Sequence, residues 1–117
     1  MQDVYRKITP FQARVFAIVR RIPRGRVMTY AAVAKAAGCR SCRAIGQALK
    51  HNPYAPDVPC HRVIASDLTP GGFRGSRSGP VLASKLALLE AEGVRFRAGR
   101  LVEPERVWTG MPSGTSC

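Results

Sequence analysis

The sequence predicts a mainly α-helical domain with small β-hairpin elements, of the winged helix-turn-helix kind. Three observations predict it. Apolar residues recur at helical spacing in separate stretches, Gly and Pro punctuate the chain between them, and two short helical stretches are joined by a tight connector. With 117 residues and 45% hydrophobic content, the chain has room for one domain and a small core. There is no run of about 18 apolar residues and no apolar leader segment near the amino terminus, so membrane spanning and secretion are not expected.

The elements follow in order. Thr9 suits an N-cap, Pro10 suits the first helical position, and Phe11, Val15, Ile18 and Val19 share a face, which predicts a helix over residues 10–20. Ile22-Pro23-Arg24-Gly25-Arg26 reads as a basic turn, and Val27-Met28 as a brief strand. Thr29 caps a short Ala-rich helix over residues 30–37, stopped by Gly38. After Cys39-Arg40-Ser41 a third helix spans residues 42–50, with Ile45, Ala48 and Leu49 on one face. Two short helices joined this way make a helix-turn-helix or an ordinary helical hairpin; the cationic charge around them favours the first.

A Pro-containing loop leads to a strand at Val63-Ile64, and residues 66–80 form a long loop rich in Gly, Ser and Arg. Residues 81–91 read as a helix with Leu82, Leu86 and Leu89 inward and Gly93 as its stop. Residues 94–96 and 100–102 make a hairpin around Ala98-Gly99. From Glu103 onward the composition turns to Pro, Gly, Ser and Thr. Residues 103–117 therefore read as a partly disordered tail in which only Trp108 packs.

Charge carries the first functional information. The 19 Lys and Arg against 7 Asp and Glu give a net charge of +12, and no acidic residue occurs between Val4 and Pro56. Arg dominates the cations, and its guanidinium fork suits phosphate oxygens better than an ammonium does. Nucleic acid is the expected partner; a solvated basic face or a ribosomal role would explain the charge alone.

The segment Pro59-Cys60-His61-Arg62-Val63-Ile64 carries the candidate chemistry. A thiol attacks as thiolate, and with a free pKa near 8.5 it needs a base or cationic surroundings at neutral pH. His61 and Arg62 offer both. On an extended segment adjacent side chains point to opposite faces, so His61 reaches Cys60 only through a bridging water or a turn at Cys60. A buried structural Cys beside a His that satisfies a backbone group is the plainer alternative. Cys39 and Cys42 with Cys60 and His61 could be read as a zinc set, but two adjacent ligands on a strand diverge, so no metal is expected. These two cysteines read as small residues filling a helix start, and without a signal peptide all four cysteines are expected reduced.

Thr29-Tyr30, Arg43-Ala44-Ile45-Gly46-x-Ala48, Asn52-Pro53, the Pro59 to Ile64 segment and Leu88-Leu89-x-x-Glu92-Gly93 follow one another in the order and nearly the spacing of the O6-alkylguanine-DNA alkyltransferase family. The chain resembles the family's carboxy-terminal active domain alone, over residues 9–94, so residues 1–102 read as an alkyltransferase-like DNA-binding and active domain. Relative to family members the connector before Arg43 is shorter, and the stretch between Cys60 and Glu92 longer.

The resemblance implies direct reversal of damage. Cys60 accepts the alkyl group from guanine O6 in one irreversible displacement, and no metal or organic cofactor takes part. His61 is the base through water, Glu92 orients it, and Asn52 holds the turn at Cys60. The partner is double-stranded DNA bearing O6-alkylguanine, with the base flipped out through the minor groove. Arg43 fills the vacated stack or, alternatively, clamps a phosphate. Tyr30 crowds the phosphate and assists the leaving guanine, or is a core aromatic. Ala44 approaches the groove, Arg62 joins the DNA-binding set, Val63 lines the substrate pocket, and either Ser76 or Ser78 contacts O6. A monomer acting in the cytoplasm or nucleoid, or in a eukaryotic nucleus, is expected. The rival reading is a non-catalytic alkyltransferase-like protein that binds the lesion and recruits other factors; such relatives commonly carry Trp in place of the Cys. A basic transcription regulator would leave the Cys60 segment unexplained.

Overall fold

The computed structural model describes residues 8–50, 52, 57–71 and 79–108. Helix α1 (Pro10–Arg20) opens on a reciprocal cap: Thr9 Oγ1 accepts from the Gln12 amide at 3.0 Å, and Gln12 Oε1 accepts from the Thr9 amide at 2.9 Å. Its Val15, Phe16 and Val19 are buried. Strand β1 (Met28–Thr29) runs directly into α2 (Tyr30–Ala36), whose cap is Thr29 Oγ1 accepting from the Ala32 amide at 3.1 Å. Gly38 turns the chain with φ of +74°, and the Cys39 amide donates back to the Ala34 carbonyl at 2.8 Å, which closes α2. Helix α3 (Cys42–Lys50) starts at Ser41, whose Oγ accepts from the Ala44 amide at 3.0 Å.

These three helices pack on one another around Val15, Phe16, Val19, Val33, Ile45 and Leu49. Each such side chain contributes about 1.5–3 kcal/mol by leaving water. A tight 3-10 turn (Cys60–Arg62) precedes β2 (Val63–Ile64), which pairs parallel with β1 in the register Met28 to Val63 and Thr29 to Ile64. Successive strand residues point to opposite faces. Met28 and Val63 accordingly join the three-helix core, while Val27 and Ile64 join a second core with Leu89, Val94 and Leu101. The short strand pair is thus the partition between two apolar clusters.

Helix α4 (Gly79–Ala91) supplies Leu89 to the second cluster, and β3 (Phe96–Arg97) and β4 (Arg100–Leu101) form the antiparallel wing beside it. The mainly helical reading holds, with three differences. β1 and β2 make a parallel pair, so of the described strands only β3 and β4 form a hairpin. On α4 the inward residues are Lys85 and Leu89, with Leu82 and Leu86 half-buried. Of the expected tail, residues 103–108 are described: a second 3-10 turn (Pro104–Arg106) brings Val107 alongside Val27, and the Trp108 amide donates to the Val27 carbonyl, while residues 109–117 lie outside the described residues. No helix among the described residues is long and apolar enough to cross a membrane.

Candidate active site

The turn at Cys60 removes the geometric objection raised by an extended segment. Pro59 leads in, the Cys60 amide donates to the Val58 carbonyl at 2.8 Å, and the Arg62 amide donates to the Pro59 carbonyl at 2.9 Å. Cys60, His61 and Arg62 therefore leave the chain from one tight turn, not from alternate faces of a strand. The Asn52 Nδ2 donates to the same Val58 carbonyl at 2.8 Å, so it anchors the entry to this turn from six residues upstream. Cys60 is buried at 9% exposure and its thiol is free.

Glu92 sits in the turn that ends α4 and collects three basic side chains. His61 Nε2 lies 3.1 Å from its Oε2. Arg62 Nε donates to Oε1 at 2.9 Å and its Nη2 to Oε2 at 2.7 Å, a bidentate fork. Arg24 Nη1 stands further off, 3.8 Å from Oε2, and is largely exposed, so it adds little. The basic turn reaches this close because Gly25 has φ of +86° and no side chain; a Cβ there would lie 3.3 Å from the Glu92 carbonyl oxygen.

The protonation states follow from burial and these contacts. Burial pushes the Glu92 carboxyl up, but the hydrogen bonds from Arg62 and His61, with their charges, outweigh it and bring it down to about 2. For His61 burial is the larger effect: it holds the imidazole below its ordinary value despite the hydrogen bond and charge of Glu92, which act upward. At neutral pH this is a carboxylate facing a neutral imidazole. Nε2 then carries the hydrogen donated to Glu92, and Nδ1 keeps a lone pair able to take a proton.

Other expected residues lie elsewhere. Arg62 does not stand at a DNA-facing surface: its third nitrogen, Nη1, donates to the Ile22 carbonyl at 2.8 Å, so the whole guanidinium is turned inward. It belongs to the positioning of Glu92, because that carboxylate and the Ile22 carbonyl offer it three acceptors. Val63, the first residue of β2, is fully buried against the three-helix core, and its carbonyl accepts from Lys85, so its side chain walls the core instead of an open pocket. Tyr30 starts α2, half-buried, with its ring against Gly71; a Cβ at Gly71 would stand 3.1 Å from Tyr30 Cε2. Arg43 is exposed on the first turn of α3 and Ala44 beside it is half-buried. Ser76 and Ser78 lie outside the described residues.

The residue that sequence reasoning missed is Lys85. It is fully buried, and its Nζ donates to the carbonyls of Val63 and Pro70, both at 2.7 Å. Its ammonium also lies 6.0 Å from the centre of the Tyr30 ring. Burial lowers its pKa to about 7, opposed by the charge of the nearby Cys60. Lys85 therefore ties α4 to both ends of the segment running from Cys60 toward the long loop. The one available signal was its phase: it is four residues before the buried Leu89.

Cys60 and His61 on one turn, with the imidazole held by a carboxylate that an arginine fixes, form a candidate nucleophile site on a helix-turn-helix-like scaffold. A family model described as the DNA binding domain of 6-O-methylguanine DNA methyltransferase matches residues 10–94, and the chain belongs to that family. It is 47% identical over 90 residues to a methylated-DNA–protein-cysteine methyltransferase of Saccharolobus islandicus, covering 77% of this chain and 55% of the relative. The crystal structure of O6-methylguanine-DNA methyltransferase from Pyrococcus kodakaraensis superposes with a TM-score of 0.63 at 44% identity, over 74% of this chain and 48% of that one. S. pombe Atl1, solved with damaged DNA containing O6-carboxymethylguanine, gives 0.72 at 32% identity, over 87% and 97%. The chain spans about half the length of the curated methyltransferases it matches and nearly all of Atl1.

Proposed function

We propose that this domain repairs O6-alkylguanine in duplex DNA by a single irreversible transfer of the alkyl group to Cys60. The observation that carries the reading is the Cys60 turn, which presents His61 to Glu92 at 3.1 Å while Arg62 locks that carboxylate from the other side. In the proposed reaction the Cys60 sulfur gives up its proton through water to His61, whose new positive charge Glu92 stabilises. The thiolate attacks the alkyl carbon in line. A carbon–sulfur bond forms, the carbon–oxygen bond breaks with its electron pair going to O6, and the guanine leaves after gaining a proton. The thioether has no route back to a thiol, so each molecule acts once and needs no cofactor.

The scaffold supports the encounter. Arg43 on the exposed start of α3 fills the stack vacated by the flipped base, Ala44 lets the helix approach the groove, and Tyr30 borders the flipped nucleotide. Asn52 and Lys85 hold the two ends of the segment that carries the nucleophile. The protein works as a monomer where the DNA is, in the nucleoid or nucleus. A second reading is favoured by one observation, the near-complete overlap with Atl1: lesion recognition without transfer. The presence of Cys60 argues for transfer.

Intact mass after incubation with a duplex containing O6-methylguanine decides between them. The expected result is a gain of one methyl group, located at residue 60, that disappears in Cys60→Ser. Tight lesion binding with unchanged mass would establish the second reading.

A further inference from the structure

We propose that Cys39 and Cys42 are a dithiol–disulfide couple whose closure loosens the start of α3 and so weakens its hold on DNA; the second half of this rests on the DNA-binding reading above. The pair spans the connector of the helix-turn-helix and the first residue of α3, and the transfer reaction makes no use of it. Both thiols are free. Cys39 is half-buried against the three-helix core, and its amide donates a hydrogen bond to the Ala34 carbonyl at 2.8 Å. Cys42 is exposed and is the first residue of α3.

The Cys39 sulfur lies against the backbone of Ser41, the residue before Cys42. It accepts from the Ser41 amide at 3.3 Å and lies 3.7 Å from the Ser41 carbonyl oxygen, which belongs to the peptide that carries Cys42. Closure then needs rotation of the exposed Cys42 side chain and release of the Ser41 N–H, while α2 stays in place. No group of three or more His, Cys, Asp or Glu side chains that could hold a metal occurs among the described residues.

Ser41 is the link from the thiols to α3. Its Oγ caps the Ala44 amide at 3.0 Å and its carbonyl accepts from the Ile45 amide at 3.3 Å. A disulfide across Cys39 and Cys42 constrains the peptide that makes both bonds, and the first turn of α3, with Arg43 in it, loses its anchor. The oxidant is a low-molecular-weight disulfide such as oxidised glutathione. The Cys42 thiolate attacks one of its sulfurs, the sulfur–sulfur bond breaks, and one glutathione leaves as thiolate and takes a proton. Cys39 then attacks the Cys42 sulfur of the mixed disulfide and expels the second glutathione. Two protein thiols are oxidised, one glutathione disulfide is reduced to two thiols, and excess thiol reverses both steps.

The test uses the full chain with Cys60→Ser and Cys117→Ser, which leaves Cys39 and Cys42 as its thiols. Equilibration across ratios of oxidised to reduced glutathione is followed by intact mass, and binding to an unmodified fluorescent duplex by anisotropy. The expected result is a mass loss of two hydrogens, a weakening of binding of roughly fivefold, the scale of one lost helix cap, and recovery of both on reduction. Adding Cys42→Ser should abolish both changes while helix content stays the same by circular dichroism. A persistent glutathione adduct without ring closure overturns the couple, and closure with unchanged affinity overturns its link to α3. If the reduced protein fails to bind duplex, the DNA reading falls and takes that link with it, while the mass still reports whether the couple forms.

Discussion

The two halves of the domain use arginine in opposite ways. Helices α1 to α3 and the connector between α2 and α3 carry Arg14, Arg20, Lys35, Arg40, Arg43 and Lys50 at the surface, and no acidic residue occurs anywhere between Val4 and Pro56. Around the Cys60 turn the ionisable groups point inward: Arg62 and the neutral His61 onto Glu92, and Lys85 onto two backbone carbonyls. An exposed cation without a protein counter-ion costs little in water and gains most when an external polyanion arrives. A buried ion is costly alone and tolerable only with its partners present. Substitutions in the first half should therefore change binding and spare stability, and those in the second should damage both stability and chemistry.

The largest effect is expected at Glu92. Glu92→Gln leaves the Arg62 guanidinium and His61 without their anion, and urea denaturation at neutral pH should show a loss of about 3–5 kcal/mol, the scale of breaking one side of a buried pair. The pH dependence has a definite sign. The folded-state pKa of Glu92 is depressed to about 2 from 4.5, so its contribution is complete above pH 4.5 and is lost as pH falls toward 2. His61 adds to the same trend, because a buried neutral imidazole disfavours folding once pH falls below 6.5. The difference in stability between parent and Glu92→Gln should shrink steadily below pH 4.5. A gap that persists to pH 2 would mean that the carboxylate is not what holds Arg62.

Lys85→Met should come next, at about 2 kcal/mol. The thioether fills similar space but leaves the carbonyls of Val63 and Pro70 without this donor. The folded pKa near 7 lies below the ordinary 10.5, so the unfolded chain binds the extra proton between these values and the parent gains stability as pH rises through that window. Denaturation midpoints from pH 7 to 10 should rise for the parent relative to Lys85→Met. Parallel curves would show that Lys85 does not titrate in the fold. Alkyl transfer should fall as well, because Lys85 ties down the segment that carries Cys60.

The same contrast explains what could be read from the sequence. Local features were legible: the Thr9 and Thr29 caps, the Gly38 and Gly93 stops and the apolar faces of α1 and α3 depend on residues within a turn of one another. The meeting of His61 with Glu92 follows the family resemblance, and a turn at Cys60 is one of the two routes the sequence leaves for His61 to reach Cys60; its 3-10 form rests on backbone bonds to the Val58 and Pro59 carbonyls. Nothing local to Lys85 marks it as buried, and Arg62 reads as a DNA-facing cation. Their partners are 22 and 30 residues away, and no periodicity reports such distances. The β1–β2 pair and the return of Val107 to Val27 escaped for the same reason, since elements of one or two residues gain their identity only from a distant strand. On helix α4 the spacing of Leu82, Leu86 and Leu89 predicts an apolar inward face, and the buried lysine stands among them.

The smallest effect on stability is expected for Arg43→Ala, and it is the sharpest test of the outward-facing half. Arg43 is exposed, so urea denaturation should stay within about 0.5 kcal/mol of the parent. Its function can be separated by substrate. A side chain that fills a vacated stack matters only where there is a stack, so Arg43→Ala should slow methyl transfer from O6-methylguanine in duplex DNA and leave transfer from a single-stranded oligonucleotide near the parent rate. A phosphate clamp would behave otherwise: binding to damaged and undamaged duplex would weaken alike, and the slope of log affinity against log salt would shrink by about 1. Arg40→Ala, one exposed cation in the connector, supplies the reference for that second pattern. If Arg43→Ala follows Arg40→Ala in every measurement, Arg43 is one more member of the cationic face, and base extrusion must be driven from another element.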